Sequence, residues 1–378
     1  MIYLDNAATS YPKPPQVSRT AAGVMEKLGA NPGRGGHRLA LAAGRVVQTC
    51  REEAARLFRM EAPERVIFTS GCTEALNLAI AGTLHPGDEV LVTPFEHNAV
   101  MRPLQRYVDW GQITVRVLEA DRLGLVQPHA LQAAIGPKTA LVIAGHASNV
   151  SGVVQPVSRL GAVCRENGVP MLVDAAQSAG VLDVSPGALN AAMVAMPGHK
   201  GLLGPQGTGL LLLAEGVQPE PLICGGTGSA SESMRQPALL PDRYESGTLN
   251  LPGIAGLLQG LRFVRRHRTE IREYEHHLAQ RLRDRLADLP HVRLPAHPDA
   301  PKVGVVSLVA RRMDAGQLAD SLNAQGIAVR SGLHCAPCAH AWYGTLQSGA
   351  VRFSPGIYNT LREIDDVALL LERILREG

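Results

Sequence analysis

The chain has 378 residues, of which 45% are hydrophobic and 19% charged, the balance of a folded globular protein rather than of a disordered segment. Its net charge of +3 comes from 37 basic and 34 acidic residues that are spread along the chain, so no basic patch predicts binding to nucleic acid or to a membrane surface. No window approaches the roughly 20 apolar residues that span a bilayer and no signal peptide is evident, which predicts a cytoplasmic protein. The six cysteines predict reduced thiols rather than a disulfide framework.

Short apolar runs alternate with segments of helical periodicity between residues 66 and 213, which indicates βα units around a mostly parallel sheet. The predicted strands are residues 66–69, 89–92, 114–118, 140–144, 171–173, 191–195 and 209–213. The predicted helices are residues 73–83, 99–110, 128–134 and 156–167. The pattern therefore predicts an α/β fold with a seven-stranded sheet.

A long helical pattern over residues 252–289 stops at Pro290, whose missing N–H ends helices, and we expect this helix to link two domains. The remaining predicted elements form a small α+β unit and are residues 303–309 (strand), 315–325 (helix), 327–330 (strand), 350–353 (strand) and 361–376 (helix). We expect a large domain over residues 1–255 and a small C-terminal domain over residues 256–378. The N-terminal arm is expected to pack on the small domain.

Three positions in the predicted βα units have side chains that suggest chemistry. Asp174 ends an apolar strand, at the edge where open α/β sheets bind ligands, although an aspartate there is more often a helix cap or a turn residue. Lys200 lies in a loop of Gly, Pro and His, where partial desolvation favours a reactive amine; the alternative is a surface lysine. Thr73 follows a strand and a glycine turn at a helix N-terminus, which favours a phosphate or is a simple N-cap.

Together the three positions match the needs of pyridoxal 5'-phosphate (PLP). This cofactor requires an imine-forming lysine, a carboxylate partner for its pyridinium nitrogen and a phosphate cradle. His97 also follows a strand end and is a candidate to stack on the cofactor ring, where a lone histidine would otherwise be structural.

Over nearly its whole length the chain resembles the class V aminotransferase-fold enzymes, which are fold-type I PLP-dependent transferases. Within that group it is similar to cysteine desulfurases with a short catalytic-cysteine loop, the type that feeds iron–sulfur cluster assembly. The matching segments are residues 3–9, 34–37, 72–74, 96–98, 148–152, 173–177, 198–200, 245–248 and 330–335.

The resemblance implies a role for each residue of a PLP site. Lys200 is the Schiff-base lysine, Asp174 faces the pyridinium nitrogen, and His97 stacks on the ring. The remaining cofactor-binding residues are Gln177 at the ring hydroxyl, Thr73 and His199 at the phosphate, Cys72 in the same segment as Thr73, and Thr248, which reaches the phosphate of the neighbouring subunit. A homodimer with shared sites follows from the last of these.

The substrate residues implied by the resemblance are Asn149 and Arg352, which bind the carboxylate of L-cysteine, together with Arg330 and Arg34. Cys335 is either a buried structural thiol or the nucleophile, and its polar, partly cationic flanks favour a reactive thiolate. The implied reaction converts L-cysteine to L-alanine and leaves a persulfide on Cys335, from which a partner protein accepts the sulfur.

Three positions depart from the family pattern. Pro197 replaces a small hydroxyl residue that would contact the phosphate, and Gly33 stands where a histidine is common. Cys338 forms a C-x-x-C spacing with Cys335 that would suit a disulfide; with no second pair, no metal site is expected.

Two other readings remain open from the sequence. Another class V PLP enzyme, such as a selenocysteine lyase, an aminotransferase or an amino-acid epimerase, would share the cofactor residues without needing Cys335. A PLP-binding sulfur-relay protein without turnover is the second alternative, and the intact Lys200, Asp174 and Arg352 count against it.

Overall fold

The structure is a computed structural model that describes residues 1–33 and 35–377. Its strands are β1 (Ile2–Tyr3), β2 (Val66–Thr69), β3 (Glu89–Val92), β4 (Thr114–Val117), β5 (Thr139–Gly145), β6 (Met171–Asp174), β7 (Met193–Pro197), β8 (Gly209–Leu213), β9 (Val292–Arg293), β10 (Val306–Ala310), β11 (Ile327–Ala328), β12 (Arg330–Gly332) and β13 (Ala350–Phe353). Its helices are α1 (Pro15–Lys27), α2 (Arg38–Leu57), α3 (Cys72–Thr83), α4 (Asn98–Asp109), α5 (Pro128–Ala134), α6 (Val157–Glu166), α7 (Pro186–Leu189), α8 (Leu251–Ala287), α9 (Ala315–Ala324), α10 (Pro337–Trp342) and α11 (Leu361–Glu377). Within these described ranges no helix has the length and apolar character needed to cross a membrane.

The main sheet has seven strands in the order β2-β8-β7-β6-β5-β3-β4. The strands from β7 to β4 pair in parallel, and β8 runs antiparallel between β7 and β2. This confirms the predicted mostly parallel seven-stranded sheet, and each strand lies within two residues of its predicted bounds. Alternate residues of one strand, such as Leu210 and Leu211, belong to two different hydrophobic clusters, because both faces of a parallel sheet are covered.

A second, antiparallel sheet has the order β12-β13-β10-β9. Helices α9 and α11 cover it together with the second half of α8, through residues such as Leu278, Leu322 and Leu371. The first half of α8 packs instead on the main sheet through Leu257 and Leu261. We propose that α8 joins two domains, and the boundary after residue 255 stays a prediction. At the N-terminus, β1 pairs in parallel with β11.

Several predicted bounds differ from the structure. The strand predicted at residues 303–309 begins only at Val306, because the Val303 N–H donates instead to the carbonyl of Gly152. The strand predicted at 327–330 is two short strands, since β11 pairs with β1 whereas β12 pairs with β13. The two N-terminal helices α1 and α2 were not predicted.

Candidate active site

A cleft opens at the carboxyl ends of the central strands, where ligands gather in open α/β sheets. It is lined by the ends of β5, β6 and β7 and by the N-termini of α3 and α4. The sequence-predicted residues that line this cleft are Cys72, Thr73, His97, Asn149, Asp174, Gln177, His199 and Lys200. The structure thus brings together residues that are up to 128 positions apart, from Cys72 to Lys200.

Lys200 lies in a tight loop after β7. Gly198 approaches Thr208 so closely that an added Cβ would lie 2.1 Å from the threonine Oγ1, so the loop requires a glycine there. Loss of solvation lowers the pKa of the Lys200 ammonium, against the opposing effects of Asp174 and Cys72. A lowered pKa gives Lys200 more of the neutral amine that attacks a carbonyl carbon.

Residues near the N-terminus hold the backbone of the Lys200 loop. The Ser10 N–H donates to the His199 carbonyl at 3.1 Å, and the Ser10 hydroxyl donates to the Lys200 carbonyl at 3.0 Å. The Lys13 ammonium donates to the same His199 carbonyl at 2.6 Å. Sequence reasoning assigned no role to Ser10 or Lys13; the only signal was their position beside the matching segment of residues 3–9.

Asp174 ends β6 at the base of the cleft. Its Oδ1 accepts hydrogen bonds from the Ala176 N–H at 2.8 Å and from the Cys72 thiol at 3.5 Å. Its Oδ2 accepts no hydrogen bond from the described part of the chain and remains available to a ligand. Burial, and then the Asp174 carboxylate, raise the pKa of Cys72 well above its ordinary value, so Cys72 is a neutral donor to Asp174.

One end of the cleft suits an anion. Helix α3 begins after Gly71, and no side chain caps its N-terminus, so its first N–H groups and its dipole favour negative charge. The nearby His199 has a buried Nδ1 for which the described residues supply no hydrogen-bond partner. Loss of solvation lowers the pKa of His199 to about 4.

His97 caps helix α4 and lines the cleft. Its Nδ1 accepts a hydrogen bond from the Ala99 N–H at 3.0 Å, which places the proton of the neutral ring on Nε2. Loss of solvation lowers the pKa of His97, while Asp174 opposes that shift. The ring is therefore held neutral and fixed in orientation.

The neighbouring Glu96 is fully buried and was not predicted as part of the site. Its Oε1 accepts from the Thr93 hydroxyl at 2.6 Å and from the Gly145 N–H at 2.8 Å. Burial raises the pKa of Glu96 to about 8. Glu96 thus joins the β3–α4 loop to the end of β5 as a mostly neutral acid.

Cys335 lies on an exposed turn next to the cleft. Both His334 and Cys335 have positive φ, at 51° and 55°, a conformation that L-residues adopt at a cost. The Cys335 carbonyl accepts from the Asn98 N–H at 2.7 Å, and the Arg330 guanidinium lies 3.9 Å from the Cys335 Sγ. A surface depression shared by Thr73, His97 and Cys335 adjoins the cleft.

Two side chains that line the cleft have fixed amides. Gln177 donates from Nε2 to the Ala7 carbonyl at 3.0 Å, and Asn149 donates from Nδ2 to the His334 carbonyl at 2.7 Å. In both residues the side-chain oxygen accepts no hydrogen bond from the described residues.

Arg352 lies beneath the Cys335 turn, on β13, and is 2% exposed. It donates to Asp5 Oδ1 at 2.8 Å and to the Asn149 carbonyl at 3.2 Å. Its Nε is buried, and no acceptor for it exists in the described part of the chain. The pairing with Asp5 was not predicted, because the two residues are 347 positions apart.

Thr248 and Cys338 lie outside the cleft lining. Thr248 is exposed, and its hydroxyl accepts a long contact of 3.5 Å from Asn31. Arg34 lies outside the described residues. Cys338 is half-buried, and burial followed by Glu96 raises the pKa of its thiol. Pro197 lines the cleft, and the described residues include no cluster of three His, Cys, Asp or Glu side chains suited to a metal ion.

The fold is that of a class V aminotransferase. The profile of the family "Aminotransferase class-V" matches residues 2–367, so the chain belongs to this family.

Within the family, the chain is similar to proteins named cysteine desulfurase. The chain is 35% identical to a probable cysteine desulfurase of Methanothermobacter thermautotrophicus, over all of this chain and 95% of that protein. It is 32% identical to a cysteine desulfurase of Salmonella gallinarum, over all of this chain and 94% of that protein. Among solved structures it is similar to the apo cysteine desulfurase of Thermococcus onnurineus, with a TM-score of 0.92 and 32% identity over all of this chain and 95% of that chain.

Proposed function

We propose that this protein is a PLP-dependent cysteine desulfurase, which converts L-cysteine to L-alanine and takes up the sulfur as a persulfide on Cys335. The observation that carries the proposal is the exposed Cys335 turn, hydrogen-bonded to the residue that follows His97 at the edge of the Lys200 cleft. Full-length similarity to proteins named cysteine desulfurase supports the same reaction.

The residues of the cleft fit PLP. An anionic phosphate matches the uncapped N-terminus of α3 and the unpartnered Nδ1 of His199. The free Oδ2 of Asp174 matches a protonated ring nitrogen, and the Lys200 amine matches an aldehyde. When bound, PLP supplies an electron sink for the electron pair that forms at the substrate Cα.

Each cleft residue then has a defined task. Lys200 would hold the cofactor covalently and, once its Nζ is free, would take the α-proton of the substrate. Asp174 would keep the ring nitrogen protonated, and the neutral His97 ring would pack on the cofactor. The other contacts are Cys72 and Thr73 near the phosphate and Gln177 at the ring hydroxyl.

The substrate carboxylate is an anion, and Arg352 is the buried cation with an unused Nε donor. A guanidinium fork suits a carboxylate, so Arg352 binds this group with help from Asn149. Arg330 adds positive charge beside this group, and a substrate-binding role for Arg34 stays a prediction from the family resemblance. The Arg330 guanidinium also lies 3.9 Å from the Cys335 sulfur.

The sulfur step belongs to Cys335. Its thiolate attacks the sulfur of the substrate, the bond between that sulfur and Cβ breaks, and the electron pair of that bond stays with Cβ. Uptake of a proton at Cβ and return of the α-proton to Cα then give alanine. The transferred atom remains on Cys335 as a persulfide until a sulfur-acceptor protein removes it. We propose that the sulfur serves iron–sulfur clusters or other sulfur-containing cofactors in the cytoplasm.

A homodimer is part of the proposal, because Thr248 is exposed and is not among the residues that line its own cleft, and would serve the site of a second copy. Sedimentation should give a dimer. A monomer that retains tight PLP binding and turnover would contradict the shared site.

The experiment that tests the function is incubation of the PLP-loaded protein with L-cysteine under nitrogen, in a buffer without reductant. We expect equal amounts of alanine and protein-bound sulfur in the first turnover, with a mass gain of one sulfur atom on the peptide that contains Cys335. Absence of alanine, or release of product only from selenocysteine, would favour another class V activity.

A further inference from the structure

Two buried histidines lie directly behind the Cys335 turn. His334 is 3% exposed and His340 is fully buried, and their ring planes are inclined by 20° with centroids 5.5 Å apart. His334 precedes Cys335, whereas His340 is on the short helix α10. Neither residue contacts a carboxylate among the described residues, so charge pairing does not explain their burial.

The hydrogen bonds of this pair form a chain with one direction. His334 Nε2 lies 3.2 Å from the carbonyl of Arg330. A carbonyl oxygen only accepts, so His334 must carry its proton on Nε2, and its Nδ1 is then an acceptor.

The protonated nitrogen of His340 follows from that of His334. His340 Nε2 lies 3.3 Å from His334 Nδ1, so His340 Nε2 carries a proton and donates it to His334. His340 Nδ1, 2.7 Å from the Thr345 hydroxyl, then accepts from that hydroxyl, whose longer contact of 3.3 Å is with the His340 carbonyl. The chain runs from Thr345 through His340 and His334 to the Arg330 carbonyl, with both imidazoles neutral.

The chain ends on the segment that carries the reactive groups. Arg330 approaches the Cys335 sulfur, and the carbonyls of His334 and Cys335 accept from Asn149 and Asn98. The two positive φ angles in this turn are strained and need such support. We propose that His340 is a positioning residue, which with Thr345 holds the Arg330–Cys335 turn through His334, and that protonation of His334 releases the turn.

Acid acts on this chain through His334 first. A proton on His334 Nδ1 would face the Nε2–H of His340, so the central hydrogen bond would be lost. The charged groups that act on His334 are Arg352 on β13 and Arg330 on β12, and both oppose a second positive charge. An extra proton on His340 Nδ1 is less disruptive, because the Thr345 hydroxyl can turn to accept it.

The sign of the pH effect follows from linkage. Burial lowers the pKa of His334 to about 3 in the closed turn, whereas an opened turn would restore the ordinary value of about 6.5. The preference for the closed, hydrogen-bonded turn is therefore complete above pH 6.5 and weakens as the pH falls toward 3. Between pH 7 and pH 5 the ratio of open to closed turn should rise about 25-fold.

The first test uses the unaltered protein labelled with nitrogen-15 histidine. At pH 7 we expect both His334 and His340 to give the spectrum of the Nε2–H tautomer, with signals assigned by their loss in His334→Gln and His340→Gln. An Nδ1–H tautomer or an imidazolium at either residue overturns the proposal.

The second test is hydrogen exchange of the peptide covering residues 333–345 and of the Asn98 amide. His340→Leu, which removes the donor to His334, should accelerate exchange roughly tenfold, as expected for loss of one buried hydrogen bond. His340→Gln, which keeps an N–H donor, should recover most of the protection. His146→Leu is the matched control, because His146 is also buried but lies outside this chain of hydrogen bonds.

Equal acceleration in the His146→Leu protein, or none in His340→Leu, overturns the positioning role. If His340→Leu does not fold, Thr345→Val is measured in its place, with the same expected direction. The unaltered protein should also show the rise between pH 7 and pH 5 after correction for intrinsic exchange, and His334→Gln should not.

The effect on sulfur transfer rests on the proposed function. We expect His340→Leu to slow persulfide formation about tenfold and to move its acid limb to higher pH, with His340→Gln restoring both. If the unaltered protein releases no alanine from cysteine, the proposed function fails, while the tautomers and the exchange rates still decide the role of His340.

Discussion

The side-chain amide of Asn149 donates a 2.7 Å hydrogen bond to the backbone carbonyl of His334. Asn149 lines the cleft that holds Lys200, and His334 precedes Cys335 in the neighbouring turn. The backbone carbonyl of Asn149 also accepts from Arg352. One residue therefore sets the position of the thiol-bearing turn relative to the cleft and to the carboxylate-binding arginine.

Replacement of the Asn149 side chain should remove its contact with His334 and keep its backbone contact with Arg352. Asn149→Ala removes the donor to His334 while leaving its backbone carbonyl for Arg352, so we expect kcat/KM for cysteine to fall about 10- to 100-fold, equivalent to about 1.4–2.7 kcal/mol. Retention of PLP, measured by absorbance, should be nearly unchanged. Unaltered kcat/KM in the Asn149→Ala protein would contradict a role for this contact.

Lys200→Ala should abolish covalent attachment of PLP and slow alanine release by roughly 10²- to 10⁴-fold, because the α-proton then has no positioned base. Borohydride treatment followed by peptide mapping measures the attachment. The exposed Lys138 provides the matched control, and Lys138→Ala should keep both properties. A borohydride-fixed cofactor on any other lysine would contradict the assignment.

The parts of the fold that sequence predicted are those with a local pattern. Strands such as Gly209–Leu213 are continuous apolar runs because both faces of the sheet are buried. Helix α2 was missed although Ala43, Val47, Cys50 and Ala54 form a buried stripe at helical spacing. Small alanines make that stripe weakly hydrophobic, and the sequence signal was correspondingly weak.

In the site, too, residues with a local sequence pattern were predicted and contacts between distant segments were not. Lys200 and Asp174 were found because each follows an apolar strand, and strand ends converge at one edge of the sheet. The contacts of Ser10 with Lys200 and of Asp5 with Arg352 join segments 190 and 347 positions apart. No periodicity connects such segments, so only the folded chain reveals these pairs.

Glu96 should make stability depend on pH. Its pKa is about 8 in the folded protein and about 4.5 when unfolded, so the folded state binds the proton more tightly between these values. Stability from Glu96 is present below pH 4.5 and is lost as the pH rises to 8, by about 1.4 kcal/mol per pH unit at most.

Glu96→Gln mimics the neutral acid and removes this loss. The Tm of Glu96→Gln minus that of the unaltered protein should increase from pH 5 to pH 8 in thermal unfolding. The exposed Glu119 is the control, and Glu119→Gln should show no such trend. A difference in Tm that is constant with pH would contradict a raised pKa for Glu96.

The buried ion pair between Arg51 and Glu245 should contribute to stability. Glu245 accepts two hydrogen bonds from Arg51, at 2.8 and 2.7 Å, and one from the Phe68 N–H. Glu245→Ala leaves a buried guanidinium unpaired, at a cost of about 3–5 kcal/mol in the free energy of unfolding.

A surface pair offers the comparison for Glu245. Glu220 pairs with Arg243 at 2.9 Å, and its side chain is 74% exposed, so Glu220→Ala should cost at most about 1 kcal/mol. Urea unfolding measures both variants. Equal losses of unfolding free energy in the two variants would contradict a larger cost for breaking the buried pair.

Cys335→Ser should abolish sulfur transfer from cysteine while leaving PLP binding nearly unchanged. Lys200 and the cofactor act on the Cα of the substrate, but the sulfur leaves only when a thiolate attacks it, and a serine hydroxyl is far less ionised and a poor partner for sulfur. Selenium can leave without such an attack, so some release of selenium from selenocysteine should survive.

Cys224, which is exposed on another loop, provides the control, and Cys224→Ser should retain full activity. Cys338→Ser should at most slow persulfide turnover, because burial raises the pKa of its thiol. The measurements are alanine, sulfide and the mass of the Cys335 peptide; full activity of Cys335→Ser with cysteine, or extra sulfur on Cys338 alone, would show that Cys335 is not the nucleophile.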